Sequence, residues 1–240
     1  MNLLSSYFAT GISMLIGFIL IPFLVKVLGK DAFGLIVLAE STIAIFELTT
    51  IGLRLALSRH ATFTHAQDKN EEFLGYLSTS RYVLLILSAA ILLVGSIISY
   101  NFPHIFHVPE IYAGDSKILF LLITISFVIT TINIVFWSVL YVKQRMDLIN
   151  MATSCGILLR GIGIIVVFSI LPKRYISVVI YGIIYLIMTC TREYIVYVWH
   201  KKIMPGLRLS IKYFKQSKIR ELFAFGIFST ISHVASLFNE

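Results

Sequence analysis

Polar residues along this chain fall between long apolar runs and do not alternate with apolar neighbours. The runs cover residues 3–25, 35–57, 74–100, 118–142, 148–171 and 175–199, and a seventh begins near Leu222 and is still running at Glu240. Each approaches or exceeds the ~20 apolar residues a helix needs to cross a bilayer. Barrel strands would show ~10-residue segments with in/out alternation, and that pattern is absent. The pattern predicts an all-α, polytopic membrane helix bundle with six transmembrane helices and the start of a seventh. Residues 1–199 form one six-helix lobe, 200–220 a basic connection, and 221–240 the start of helix seven.

Composition agrees: 58% of residues are hydrophobic and mean hydropathy is +0.90. Too little polar sequence remains for a soluble domain. The net charge of +8 lacks the aromatic-plus-basic pattern of RNA-binding modules, so no nucleic-acid partner is expected. It fits basic loops on the cytoplasmic side of a membrane. One alternate set of connections carries eleven Lys and Arg (Arg59 and Lys69, Lys143 and Arg145, and seven between Lys201 and Arg220), against five in the other (Lys26, Lys30, Lys117, Lys173 and Arg174). The count predicts a cytoplasmic N-terminus. The first run has no preceding Lys or Arg and exceeds a signal-peptide core, so it reads as a retained helix.

Short features refine this picture. Asn2, Ser6 and Thr10 form a polar seam on helix one, and Ala9, Ser13 and Gly17 a small-residue row suited to close helix packing or to lining a cavity. Leu28 to Gly34 makes a short glycine-bounded turn, and 58–72 reads as a polar connection. His104, His107 and Glu110 stand at three-residue steps, but Pro103 and Pro109 argue against one regular helix presenting all three to a metal. Cys155 and Cys190 lie mid-span without metal-ligand spacing. In 200–220, Pro205-Gly206 ends a helix, and Leu207, Leu209 and Ile211 alternate with Arg208, Ser210 and Lys212. This suits a segment lying on the inner leaflet, with Ser217 as the cap of helix seven.

Ionisable residues at membrane depth cost about 2.5–3.5 kcal/mol each on insertion scales, and they usually face a cavity or a partner. Glu40, Glu47 and Arg54 are seven apart on helix two and share a stripe. Neighbours in the stripe are separated by about 10.5 Å of rise, too far for easy direct pairing, so partners on other helices or water are expected. Arg160 lies mid-span in helix five, Arg192 and Glu193 in helix six, and Asn133 in helix four. Arg54 and Arg81 are near enough to the inner end to reach the interface, and Arg192 and Glu193 suit an interhelical pair. Glu47 and Arg160 are the best candidates for a hydrated path. The substrate or cavity candidates are therefore Glu40, Glu47, Arg54, Arg160, Arg192 and Asn133. No phosphate loop, zinc helix or nucleophile elbow is present. The chain does not read as an enzyme, and no metal or cofactor is expected.

Four segments carry a resemblance. They are Ile21 through Leu28-Gly29-Lys30-Asp31-Ala32-Phe33-Gly34, Ile51-Gly52-Leu53-Arg54 through Arg59, Gln144-Arg145-Met146-Asp147-Leu148-Ile149-Asn150, and the basic connection running into Leu222-Phe223-Ala224-Phe225-Gly226. In order and spacing the chain resembles polysaccharide transporters of the O-antigen flippase (Wzx) type, in the multidrug/oligosaccharidyl-lipid/polysaccharide exporter superfamily. The resemblance implies a MATE-like fold of two six-helix lobes around a cavity, of which this sequence supplies the first lobe and part of helix seven. It also implies movement of undecaprenyl-diphosphate-linked oligosaccharide across the bacterial inner membrane, with membrane lipids, glycosyltransferases and a polysaccharide polymerase as partners. The acidic Glu40 and Glu47 depart from the cationic lumen a lipid diphosphate would favour. Rival expectations are a cation-coupled multidrug exporter and a non-transporting membrane subunit of a glycan-assembly complex.

Overall fold

The computed structural model describes residues 2–172, 177–207 and 209–237. Lys173, Arg174, Arg208, the start of the sixth run at Tyr175 and the terminal Glu240 lie outside the described residues, as do the side chains of Asn2, Ser6 and Ala9. Seven α-helices account for most of the described chain: α1 (Asn2–Leu28), α2 (Lys30–Ala66), α3 (Asn70–Ile105), α4 (Ala113–Val142), α5 (Met146–Ile170), α6 (Val178–Ile203) and α7 (Gln216–Leu237). The first six contain segments long and apolar enough to cross a membrane. Large apolar side chains stand exposed along them, Phe18, Ile86 and Ile170 among the most prominent, as expected where lipid is the solvent.

The connections are tighter than hydropathy predicts. A single residue, Gly29, joins α1 to α2. Its φ of 87° lies in the left-handed region that closes helices, and its N–H still bonds the Val25 carbonyl at 3.1 Å. The 58–72 segment is almost wholly helical, because α2 continues to Ala66 and α3 starts at Asn70. The apolar run stops where the lipid should stop, but intrahelical hydrogen bonding has no reason to.

The helices contribute to two compact units. The first comprises Met1–Ile43, Ala90–Thr130 and Asp147–Ile195. Its core includes Phe102, whose ring lies 5.0 Å from Phe120 and 4.6 Å from Phe106. Glycines set its helix crossings: a methyl on Gly161 of α5 would meet Ile16 of α1 at 2.7 Å, and one on Gly182 of α6 would meet Leu122 of α4 at 2.9 Å. This is the small-residue logic of membrane helix packing. The row on α1 does not supply it. Ser13 is exposed and Gly17 has open space around its Cα, while Ile16 makes the contact, because the small partner sits on α5.

The second unit comprises Ala44–Ala89, Thr131–Met146 and Val196–Glu240. Leu53 and Leu57 of α2, Leu77 and Leu84 of α3, Val135 and Val139 of α4 and Leu222 of α7 share its core. The 200–220 connection differs from the expectation of a segment lying on lipid. Leu207 and Leu209 turn onto this protein core, although Ile211 remains outside. The Lys215 N–H donates to Thr79 Oγ1 at 3.1 Å, and Phe214 meets Tyr82 edge-on. With the chain pinned there, α7 starts at Gln216 and Ser217 lies inside the helix, not at its cap. Lys218 is 6% exposed, with its Nζ 3.4 Å from the centre of the Tyr76 ring. Gly75 leaves room for its stem. The Tyr76 hydroxyl donates to Glu221, and the His60 ring stacks on the Tyr76 ring at 4.9 Å. Burial pushes the Lys218 ammonium below the ordinary lysine value, while Glu221 and Glu72 pull it back.

Candidate functional site: paired charges at membrane depth

The sequence places Glu40 ten residues into α2, about 15 Å from the helix start at 1.5 Å per residue. In the first unit its carboxylate meets two other helices. Arg160 Nη1 of α5 lies 3.8 Å from Glu40 Oε1. The Tyr181 hydroxyl of α6 donates to the same oxygen at 2.7 Å. The Arg160 guanidinium also sits 4.8 Å from the centre of the Tyr185 ring, a cation–π arrangement. Tyr181 is buried, whereas the side chains of Arg160 and Glu40 keep 33% and 37% of their exposure. The charged pair is therefore reachable, and its aromatic support is the buried part.

The same unit holds a second charged group. Arg192 donates through Nη2 and Nε to Glu193 Oε1 at 2.7 and 3.0 Å, and through Nη2 to Thr130 Oγ1 of α4 at 3.0 Å. The two charges expected to pair between helices pair with each other along α6, and Arg192 also reaches another helix at Thr130. Gly156 of α5 makes space for this arginine, since a methyl there would stand 2.8 Å from Arg192 Cδ. Glu193 is 2% exposed, and leaving one member of a buried pair unpaired costs about 3–5 kcal/mol.

In the second unit Arg54 Nη2 approaches Glu47 Oε1 at 3.6 Å. This corrects the expectation that one stripe on one helix is too widely spaced for direct pairing. The backbone rise is as expected, but the two long side chains reach toward each other along the helix. Arg54 therefore turns back along α2 toward Glu47. Arg81 donates to the Ile132 carbonyl at 3.0 Å, with its guanidinium 5.3 Å from the Phe136 ring centre. Asn133 is half-buried on α4.

The six residues predicted from sequence thus fall into separate places. Glu40 joins Arg160, Glu47 joins Arg54, and Arg192 joins Glu193. Tyr181 and Tyr185 were missed. Their signal was a pair of tyrosines four residues apart, hence on one helix face, within a run otherwise rich in aliphatics. Each of these three arginines has a carboxylate close by, which explains how the chain tolerates charge at this depth. Among the described residues no three His, Cys, Asp or Glu side chains converge as a metal site would require.

A family model for polysaccharide biosynthesis proteins matches residues 1–240, the entire sequence. The chain belongs to this family. Six helices long and apolar enough to cross a membrane make it a multi-pass membrane member of that family. Among curated proteins, this polysaccharide biosynthesis protein is similar to the uncharacterised membrane protein EpsK of Bacillus subtilis (strain 168), at 19% identity over 216 residues. The match covers 90% of this chain and 42% of EpsK, so the chain spans less than half the length of that relative. No solved structure matches it significantly.

Proposed function

We propose that this chain forms the first lobe of a flippase that carries undecaprenyl-diphosphate-linked oligosaccharide across the bacterial inner membrane during cell-surface polysaccharide synthesis. The family match supports a polysaccharide-related transporter. The observation that carries the finer reading is the Glu40–Arg160–Tyr181–Tyr185 cluster. A guanidinium held at half-depth by one partly exposed carboxylate can exchange that carboxylate for diphosphate oxygens, which suit its fork of donors. Glu40 then retains the Tyr181 hydroxyl, so neither charge is stranded during the exchange. Alternating access of two lobes would expose the cluster first to one side and then to the other. The sugar would cross in water while the prenyl tail stays in lipid.

The excess of basic residues in one set of connections supports a cytoplasmic N-terminus, with 58–72, 143–147 and 200–220 on the same side. Single cysteines in those segments should resist labelling by membrane-impermeant thiol reagents in intact cells. Strong outside labelling of 200–220 would reverse the topology. Glycosyltransferases that build the lipid-linked substrate and a polymerase that consumes it are the expected partners. The functional test pairs Glu40→Gln and Arg160→Gln in a full-length protein. Surface glycan is read by gel, with folded yield measured by detergent chromatography in parallel. Export should fall at least tenfold in the Arg160 variant while folded yield stays within twofold. Normal export with both residues neutralised would remove the functional assignment.

A further inference from the structure

A second feature lies in the second unit, among α3, α4, α6 and the connection that follows α6. A pocket of about 650 Å³ opens there. Its polar wall is cationic and aromatic: Arg81, Tyr82, Phe136, Tyr197, His200 and Lys201 contribute to it, and none of its lining residues is acidic. Leu207 and Leu209 of the connection form an apolar side.

The polar groups of this wall are held in place. Arg81 spends one nitrogen on the Ile132 carbonyl and rests over Phe136. No carboxylate pairs with it among the described residues, unlike the three other intramembrane arginines. His200 stacks on Phe136 at 4.2 Å, is 5% exposed, and its Nδ1 makes no hydrogen bond of good geometry. Lys201 is exposed and lies 4.7 Å from the Tyr197 ring centre. A guanidinium with spare donors, an ammonium at the rim and an apolar wall together match a phosphate group attached to hydrocarbon. Basic pockets between spanning helices bind anionic lipid headgroups in this way.

We infer that this pocket binds the phosphate headgroup of an anionic phospholipid, with the acyl chains lying against α3 and α6. The headgroup would sit on the side of the membrane that holds the 200–220 connection. Arg81 and Lys201 would take its oxygens, while the Leu207–Leu209 side would meet the upper part of the chains. This site is independent of the cargo the protein carries, and binding can be measured without transport.

Native mass spectrometry of the 240-residue chain in neutral detergent tests it, using phosphatidylglycerol, phosphatidylcholine and inorganic phosphate as probes. Phosphatidylglycerol adducts should exceed phosphatidylcholine adducts. Lys201→Gln should weaken phosphatidylglycerol binding about fivefold, the factor set by one cation near an anionic lipid. Lys201→Glu should weaken it further, with phosphatidylcholine binding unchanged. Lys201 is exposed, so both variants should fold, and Lys26→Gln at another helix end should bind as the unaltered chain does. Arg81→Gln should abolish the preference if its elution and helicity are preserved; the two Lys201 variants decide the question if they are not. Equal phosphatidylglycerol binding by Lys201→Glu and the unaltered chain would overturn the proposal. So would inorganic phosphate competing as well as phosphatidylglycerol itself, which would mark a site for a soluble phosphate compound.

Discussion

Glu40→Gln leaves Arg160 at membrane depth beside Tyr185 without its carboxylate, whereas Arg160→Gln leaves Glu40 with the Tyr181 hydroxyl. The two losses are unequal because a carboxylate can take up a proton and become neutral, and a guanidinium cannot. At the observed 3.8 Å, two unit charges interact by about 4 kcal/mol for an effective dielectric of ~20. Exposure of about a third of each side chain reduces that to about 2 kcal/mol. Glu40→Gln should therefore cost about 2–3 kcal/mol and Arg160→Gln about 1 kcal/mol. The double variant should fall no lower than Glu40→Gln alone, since it strands no charge. On the scale of a chain this size, Glu40→Gln corresponds to a fall in melting temperature of roughly 5 °C or more. Thermal melting in detergent, followed by size-exclusion chromatography, reads all four proteins under one condition. If Arg160→Gln melts below Glu40→Gln, or the double variant shows the sum of both losses, the pair is not the unit described here.

Further outcomes follow from local packing. A side chain on Gly52 of α2 would overlap the Gly226 carbonyl and Thr230 hydroxyl of α7, so Gly52→Leu should cost about 1–3 kcal/mol or more and broaden the folded peak. Gly34→Leu, with nothing within 4 Å of the added Cβ, should leave the peak unchanged. Lys218 has a folded pKa below its unfolded value of about 10.5, so the unfolded chain holds the extra proton in the interval between them. Stability contributed at this position rises with pH through that interval. The melting temperature of the unaltered chain minus that of Lys218→Met should grow as pH climbs toward 10.5, and a flat difference would contradict the burial of the ammonium.

Hydropathy located the six helices that, among the described residues, are long and apolar enough to span, because the length and apolarity of a run are local properties of the sequence. It missed where α2 ends and α3 begins, since the stretch from Arg59 to Ala66 stays helical through its own backbone hydrogen bonds after the lipid-facing residues stop. The charged residues at depth were equally visible. Their partners were not. Nothing local tells Arg160 to meet Glu40 instead of Glu47, because the choice depends on how α5 packs. The Glu47–Arg54 contact was missed for a different reason: backbone rise alone says little about two side chains that can extend several ångströms toward each other. Tyr181 and Tyr185 carried no charge to single them out. Of the alternating Leu207, Leu209 and Ile211, only the first two share the buried side, and only the packed α2–α3–α4 core shows that this side turns inward.

The single-residue joint at Gly29 has a mechanical meaning. Two soft torsions are all that separate the last hydrogen-bonded residue of α1 from the first of α2. α1 is a rod of 27 residues, about 40 Å long at 1.5 Å per residue. Turning it by about 10° about that joint would carry its far end through roughly 7 Å, while the joint itself scarcely moves. Displacement on one side of the membrane is thereby geared to small torsional changes on the other, with Gly29 as the fulcrum.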